Sequence, residues 1–413
     1  MEFREHVLAN GLQVVAECNT AAYSSALGFF VNTGARDEHD AISGVSHFLE
    51  HMVFKGTPTR SADDVNREFD EMGAHYNAFT SEENTVYYAA VLPEFQDRAV
   101  GLLADILRPS LREEDFDTEK QVILEEIHMY EDQPPFGADD KCRALHFGPH
   151  PLGRSVLGTV ESITNLPVSA MRDYFRRRYS PGNIVLCAAG RIDFVALVAA
   201  AERLCGGWEP VEAGRDARPP ATHGGFQVLH KPTATQQYVL QLADGPTAED
   251  EDRYAARLLA TVLGDDTGSR LYWELVDPGL AEHASLSHGE YQRAGLMMTS
   301  MSCDPEQAAG NLQRILDVYR RAEAEGVTAA ELKQAKSKTR SRIVLGGERP
   351  RGRLFMVGGD WLYRREYRTV AEELEAVAAV TADEVRAVLK RYPLTHGTTV
   401  MIGPLAEGVA PAV

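Results

Sequence analysis

The sequence predicts an α+β protein made of two homologous α/β domains, each with a mixed or antiparallel sheet and helices on one side. Three observations predict this class. Stretches that alternate or run continuously apolar, as strands do, are interspersed with long segments of helical periodicity. The 413 residues are 44% hydrophobic and 25% charged, which is ordinary for a globular chain of two or three domains. The order of elements in the first half also recurs in the second.

The repeat is visible at both ends of each half. Residues 25–32 read as a strand that leads through an acidic loop into a helix, and residues 237–243 lead in the same way into a helix at 253–263. A tyrosine followed 11 residues later by a glycine closes both halves, at 179–190 and 392–403. The two halves are therefore interpreted as one α/β unit that occurs twice.

The boundary between the halves is predicted from composition. A stretch rich in glycine, proline, alanine and charge ends at Gly225 and reads as a linker. We predict a first domain at residues 1–210, a linker at 211–225 and a second domain at 226–413.

Charge and cysteine usage narrow the function classes. A formal net charge of −19 argues against binding to nucleic acid or to anionic membranes, because both repel an acidic protein. One basic stretch, residues 333–353, is interpreted as a solvated helix face. The alternative, which requires a large cavity in the protein, is that it helps to hold acidic peptides. Five cysteines at wide spacing, with no C-x-x-C pair, suggest reduced thiols and a cytoplasmic location. The N-terminus reads as a hairpin around Asn10 and Gly11 rather than a signal peptide, and no segment reaches transmembrane length.

The most informative motif is His47-x-x-Glu50-His51, the inverted form of a zinc-protease motif. The run from 45 to 54 is otherwise apolar and is followed by Gly56, which predicts a buried helix. On a helix the two histidines lie one turn apart on one face, so both imidazoles can bind one metal ion. Glu50 lies close to the same face and can act as a base on water. The alternative is a pair of core histidines beside a salt-bridged glutamate.

A third ligand is predicted in the helical segment at residues 113–131. At 100° per residue, Glu119 and Glu126 fall on one apolar stripe, whereas Glu125 points to the opposite, polar side. Coordination of a metal ion would explain why two glutamates lie on the buried face of this helix. We predict Glu126 as the third ligand and Glu119 as a second active-site carboxylate that supports or substitutes for it. The alternative is that both glutamates pair with lysine or arginine.

At this point the sequence resembles the insulinase/pitrilysin family of zinc metallopeptidases, in its bacterial processing-peptidase-like branch. The resemblance rests on His47-x-x-Glu50-His51, on Glu126 75 residues after His51, and on Glu119 seven residues earlier. Flanking segments match as well and extend from about residue 5 to about residue 400: GVSHFLEHMVFKGT, YNAFTSEENTVYYAAVLPE, HPLGRSVLGT and YSPGNIVL. The resemblance implies one Zn²⁺ per chain, with Glu50 as the catalytic base. It also implies that the chain is a half-clamshell of two α/β domains that closes around a peptide chamber as a dimer.

The resemblance also suggests where a peptide binds. It assigns residues 76–80 to an edge strand beside the zinc, where an extended peptide adds a strand through backbone hydrogen bonds. The predicted contacts are Asn77, Ala78 and Phe79. The alternative is that this segment is an ordinary strand paired on both sides, because alternation alone does not distinguish edge from centre.

One departure from the family concerns the second half. Self-sufficient members supply an arginine and, seven residues later, a tyrosine that contact the substrate. The matching positions hold Leu275 and Glu282. We therefore expect a zinc-bearing endopeptidase subunit that acts on unfolded peptides or short polypeptides in a heterodimer with a homologous, zinc-less partner; a homodimer is the alternative. Two further hypotheses stay open, namely a non-catalytic binding or assembly subunit with a relic zinc site and a maturation protease for one small precursor.

Overall fold

The computed structural model describes residues 1–133, 135 and 137–405, and these form two compact units. The first unit comprises residues 1–127, 154–216 and 345–368, and the second comprises the remainder. Each unit thus contains one segment from the other half of the sequence. The division into domains at residues 1–210 and 226–413 stays a prediction. The compact units differ from it in two segments: residues 128–153 belong to the second unit, and residues 345–368 belong to the first.

The first unit contains a six-stranded sheet. Its strand order is β1-β2-β6-β3-β5-β4, in which β2 and β6 are parallel and the other neighbours are antiparallel. The N-terminal hairpin is therefore present, and the strand expected at 25–32 is β3. The strands are β1 (Glu2–Val7), β2 (Gln13–Cys18), β3 (Ser25–Val31), β4 (His75–Thr80), β5 (Thr85–Val91) and β6 (Ile184–Gly190).

The sheet of the second unit repeats this pairing, and among its described residues no strand corresponds to β1. Its order is β7-β11-β8-β10-β9, in which β7 and β11 are parallel and the remaining neighbours antiparallel. The predicted fold class, two α/β units of the same design, is confirmed. The strands are β7 (Gly225–His230), β8 (Gln237–Asp244), β9 (His283–Tyr291), β10 (Ala294–Cys303) and β11 (Thr398–Gly403).

Helices fill the connections between the strands. Those expected at 45–54, 113–131 and 253–263 are found with ends that differ by one residue at most. No helix among the described residues is long and apolar enough to cross a membrane. In chain order the helices are α1 (Val45–Val53), α2 (Ala62–Glu71), α3 (Gln96–Ile106), α4 (Glu113–Asp132), α5 (Ala138–Phe147), α6 (Val160–Asn165), α7 (Val168–Arg178), α8 (Phe194–Cys205), α9 (Arg253–Gly264), α10 (Ala308–Glu325), α11 (Ala329–Gly347), α12 (Pro350–Arg364), α13 (Val370–Ala379) and α14 (Ala382–Arg391).

Helix α12 gives the first sheet a cover on its second face, although the sequence predicted helices on one side. Leu354 and Val357 of α12 pack on a buried row of alternating strand residues that includes Phe30 of β3. Arg353 is only 3% exposed and makes a bidentate ion pair with the buried Glu17 of β2. The basic stretch at 333–353 therefore ends in a buried arginine, not in a uniformly solvated face.

The N-terminus of α1 is fixed by the side chain of Glu38 in the preceding loop, and burial raises the pKa of this carboxyl group to about 8. The side chain of Glu38 accepts hydrogen bonds from the backbone amides of Gly44 (2.6 Å) and Ser46 (2.8 Å), which the helix itself leaves without carbonyl partners. Gly44 has φ +88°, and a Cβ there would lie 2.4 Å from the carbonyl oxygen of Leu157. Tyr174 adds a hydrogen bond to the Ser46 hydroxyl at 2.7 Å. These contacts fix where the helix starts and hence which face its side chains present.

We predict that Glu38→Ala destabilises the protein by about 2–4 kcal/mol, since two buried amides lose their acceptor. Urea unfolding followed by circular dichroism measures this. Ser61→Ala, at the exposed N-terminus of α2, is the matched control and should cost about 1 kcal/mol. Equal losses in the two variants would show that Glu38 is an ordinary cap.

Candidate metal centre

Three side chains in the first unit converge on one point. Each of His47, His51 and Glu126 offers a ligand atom, and these atoms all lie within 4.8 Å of one another. The Nε2 atoms of both histidines lie 3.8 Å from the same oxygen, Oε2 of Glu126. The two imidazole rings are 4.7 Å apart between centroids, as expected for residues one helical turn apart. The structure thus brings together the three side chains that the sequence proposed as metal ligands.

Helix α4 supplies the carboxylate because its apolar stripe packs against α1. Phe116 of α4 stacks on Phe48 of α1 with ring centroids 4.6 Å apart, and Ile123 is fully buried one turn before Glu126. Glu125, the residue directly before Glu126, is exposed. The helical period therefore aims Glu119 and Glu126 at the histidines while Glu125 faces solvent.

Glu119 supports His51 instead of joining the three-residue cluster. Nδ1 of His51 donates to Oε1 of Glu119 at 2.8 Å, and Nζ of Lys55 lies 2.5 Å from Oε2. Burial raises the pKa of Glu119, but the hydrogen bonds and charges of His51 and Lys55 outweigh it, and the net pKa lies below the ordinary value. The ionised carboxylate fixes the tautomer and ring orientation of His51, so that Nε2 faces Glu126.

His47 is kept neutral by its surroundings. Burial, together with the charge of His51, lowers the pKa of His47 to about 3. For His51, burial also lowers the pKa, but Glu119 and the charges of Glu126 and Glu50 raise it above the ordinary value overall. A neutral imidazole is the form that binds a metal ion. Two imidazoles and one carboxylate are the protein ligands of hydrolytic zinc sites, so this set of donors fits zinc.

Glu50 lies beside the cluster but is not part of it. Its Oε2 accepts a 2.6 Å hydrogen bond from the hydroxyl of Thr80, the last residue of β4. Burial raises the pKa of Glu50 above its ordinary value, against the opposing effects of Thr80 and His51. A carboxylate that lies beside a set of metal-binding side chains without being one of them is suited to accept and return a proton.

Strand β4 lies at the end of its sheet, as expected for residues 76–80. Ala78 is buried on the α1 side, and its amide donates to Oδ1 of Asn77 at 2.9 Å. Phe79 points to the opposite face and is 42% exposed. The structure thus places the three predicted substrate residues on an edge strand that is tied to Glu50 through Thr80; their role in binding stays a prediction.

The two positions that depart from the family lie in the second unit. Leu275 is fully buried in a π-helical turn, Tyr272–Val276. Glu282 accepts a hydrogen bond from the side-chain amide of Gln236. Arg270 is the arginine nearest to Leu275 in the sequence. It donates two hydrogen bonds, of 2.8 and 2.9 Å, to the carboxylate of Glu331.

Two residues that matter to the site were missed by the sequence analysis. Lys55 could have been found from its spacing of four residues from His51, although α1 ends at Val53 and Lys55 lies in the turn that follows it. Thr80 offered no local signal, since its contact with Glu50 arises only when β4 pairs into the sheet.

A duplicated α/β fold with an inverted His-x-x-Glu-His helix defines a class of metallopeptidases. Residues 13–160 match the family model described as insulinase (peptidase family M16), and residues 165–339 match the model described as peptidase M16 inactive domain. The chain belongs to the M16 insulinase family of peptidases.

Relatives and solved structures agree with this assignment along the whole chain. An uncharacterized zinc protease of Mycobacterium tuberculosis is 34% identical over 97% of this chain and 93% of the relative, and the uncharacterized zinc protease YmxG of Bacillus subtilis is 30% identical over 97% and 98%. A protease from Helicobacter pylori has the same fold, with a TM-score of 0.89 at 21% identity over 97% of this chain and 99% of that one. A structure titled peptidase M16 inactive domain, from Pseudomonas fluorescens, gives 0.90 at 19% identity, over 100% and 99%.

We predict that Glu119→Gln lowers zinc affinity about 10- to 100-fold, because the neutral amide forms no ion pair with Lys55 and accepts only a weaker, uncharged hydrogen bond from His51. Competition with a chromophoric chelator measures the dissociation constant. Glu125→Gln makes the same chemical change at an exposed position of the same helix and should leave the affinity unchanged. Equal affinities of all three proteins would exclude a supporting role for Glu119.

Proposed function

We propose that this chain is a zinc-dependent endopeptidase subunit that hydrolyses unfolded peptides or short polypeptides. The observation that carries the proposal is the convergence of His47, His51 and Glu126 with Glu50 beside them. The family and the relatives named zinc proteases support it. Zinc, when bound, supplies a Lewis acid that acidifies water and polarises the peptide carbonyl.

Glu50 performs the proton transfers in this proposal. The carboxylate takes a proton from the attacking water, whose oxygen forms a bond to the carbonyl carbon, and later gives that proton to the leaving amine as the C–N bond breaks. The hydrogen bond from Thr80 fixes one carboxylate oxygen and leaves the other free for this exchange.

The peptide is proposed to bind along β4 as an added strand. The amide of Ala78 is satisfied by the side chain of Asn77, its own neighbour, and a peptide carbonyl can replace that internal acceptor. Because Thr80 connects the same strand to Glu50, a peptide on this edge lies close to the base. Backbone pairing reads little of the peptide sequence, which fits a broad set of unfolded substrates.

We predict that Glu50→Gln retains zinc but lowers the cleavage rate at least ~10²-fold, since the amide cannot accept a proton. Cleavage of a mixture of unstructured peptides is followed by mass spectrometry, and metal content by elemental analysis. Glu125→Gln is the control. Cleavage that persists in a zinc-loaded Glu50→Gln protein would contradict the assignment of the base.

We further propose that activity requires a second chain. Leu275 and Glu282 stand where self-sufficient relatives are expected to provide arginine and tyrosine, and neither can donate a hydrogen bond to a substrate carbonyl from its side chain. The segment that holds them lies within the match to the inactive-domain model. A homologous, zinc-less subunit that supplies both groups completes the site, and the two chains enclose the peptide in a chamber. A cytoplasmic location is consistent with five unpaired cysteines and stays a prediction.

We predict that the isolated, zinc-loaded chain cleaves peptides slowly and that a homologous chain with the arginine and tyrosine raises the rate at least ~10-fold, because removing a single donor to a developing oxyanion typically costs more than that. Titrating the partner into a fixed amount of this chain, with size-exclusion chromatography in parallel, gives both rate and stoichiometry. Full activity of the chain alone would rule out the requirement and favour a homodimer.

Leu275 and Glu282, in place of the expected arginine and tyrosine, also favour a second candidate function. In this alternative the chain is a peptide-binding or assembly subunit that keeps its zinc site for stability. It predicts zinc binding and peptide binding without turnover, with or without a partner. Comparing Glu50→Gln with the unmodified protein separates the two, because only a protease loses activity on that change.

A further inference from the structure

The edge strand β4 has two faces, and only one of them is turned towards the metal centre. Tyr76, Ala78 and Thr80 lie on the side of α1 and α2, where Tyr76 stacks on Phe69 at 3.9 Å between ring centroids. The alternate residues, which include Asn77 and Phe79, lie on the other face. A peptide added to β4 therefore places every second side chain on this other face, away from the metal.

Helix α12 builds a wall along that second face. Phe355 lies 5.9 Å from the ring of Phe79 and 4.9 Å from Tyr88 of β5, which pairs across from Asn77. One turn further, Gly359 has open space where a side chain would point. Phe79 and Phe355 thus form an apolar stretch on this face of the strand, and Phe79 is 42% exposed.

A positively charged side chain, that of Arg351, lies near the N-terminus of α12. Nη1 of Arg351, one turn before Phe355, lies 3.3 Å from Nε2 and 3.4 Å from Nδ1 of His75, the first residue of β4. His75 is exposed and Arg351 is partly exposed. Within the described part of the chain, no carboxylate pairs with Arg351. This contrasts with Arg353 on the same helix, which Glu17 neutralises.

We propose that Arg351 binds an acidic side chain of the peptide and thereby selects acidic substrates. The inference rests on the proposed function, since it assumes that a peptide adds to β4. A guanidinium can donate two parallel hydrogen bonds to one carboxylate. Arg351 pairs with no carboxylate among the described residues, so its guanidinium can make these bonds to a carboxylate of the peptide. The acid is recognised by a helix that the second half of the sequence contributes to the first unit.

The spacing along β4 specifies the position of the acid. His75 and Phe79 are four residues apart on one strand, which corresponds to roughly 13 Å at about 3.3 Å per residue. The acidic side chain therefore lies four residues from the one that faces Phe79 and Phe355. Both are on the same peptide face, so the intervening side chain of that face contacts Asn77 and Tyr88.

Peptide binding to the zinc-loaded Glu50→Gln protein tests this inference without requiring turnover. Fluorescein-labelled unstructured peptides, in pairs that differ by Asp or Asn at one scanned position, are titrated by fluorescence anisotropy. At one position the Asp peptide is expected to bind about 10-fold more tightly, the size of one charge-assisted hydrogen-bonded pair. The preference is expected to shrink as salt is raised, because Arg351 is partly exposed.

Variants of α12 decide whether Arg351 causes the preference. Arg351→Gln should reduce the Asp-to-Asn ratio to about one, and Arg351→Lys should retain part of it, since the charge remains. Arg349→Gln is the matched control, because it removes one charge at an exposed residue two positions away and should leave the ratio unchanged. Circular dichroism establishes that all variants are folded.

The outcomes distinguish this inference from the proposed function. A preference for Asp that Arg351→Gln abolishes supports the inference, even if the unmodified protein cleaves none of these peptides and the proposed function fails. Cleavage of Asp and Asn peptides at equal rates with equal binding overturns the inference and leaves the proposed function standing. Equal losses in the Arg349 and Arg351 variants, or no binding of either peptide, also overturn it.

Discussion

Burial of helix α1 is the constraint on which the rest of the site depends. An ionisable group in a packed interior is costly unless it has a partner or loses its charge, and α1 carries three such groups. Each is accommodated differently: His47 becomes neutral, His51 pairs with the ionised Glu119, and Glu50 takes a hydrogen bond from Thr80. The partners around the helix, Glu119 and Thr80, therefore lie where its ionisable side chains require a hydrogen bond.

One consequence is that the proposed base and the peptide edge are mechanically linked. Thr80 ends β4 and also holds Glu50, so a displacement of the edge strand moves the base as well. Tyr76 anchors the same strand to α2 through its stack on Phe69. The metal-binding side chains, in contrast, come from α1 and α4, which pack on each other through Phe48 and Phe116. The side chains of the candidate metal centre and the proposed peptide edge thus rest on different packing contacts, and α1 takes part in both.

The sequence predicted what is periodic and local. Helical spacing was enough to align Glu119 with Glu126, and strand patterns gave the two similar sheets, because these features depend on residues close in the chain. The position of α12 was not accessible in this way. Its sequence pattern is that of an ordinary helix. Its packing on the first sheet depends on contacts such as that of Arg353 with Glu17, which are 336 residues apart in the sequence. Partners of that kind belong to the tertiary structure and leave no mark in a local pattern.

The position of Glu50 weighs against a zinc site kept only for stability. Metal binding can contribute to folding, but the contribution comes from the ligands, and Glu50 is outside the three-residue cluster. Its partly buried carboxyl group accepts a hydrogen bond from Thr80 and lies near His51 and Glu126. Placing an ionisable group in such surroundings is costly, and a site that served stability alone has no use for one that is not a ligand. The position of Glu50 is explained if the group carries a proton, which supports the proposed hydrolysis over a structural role.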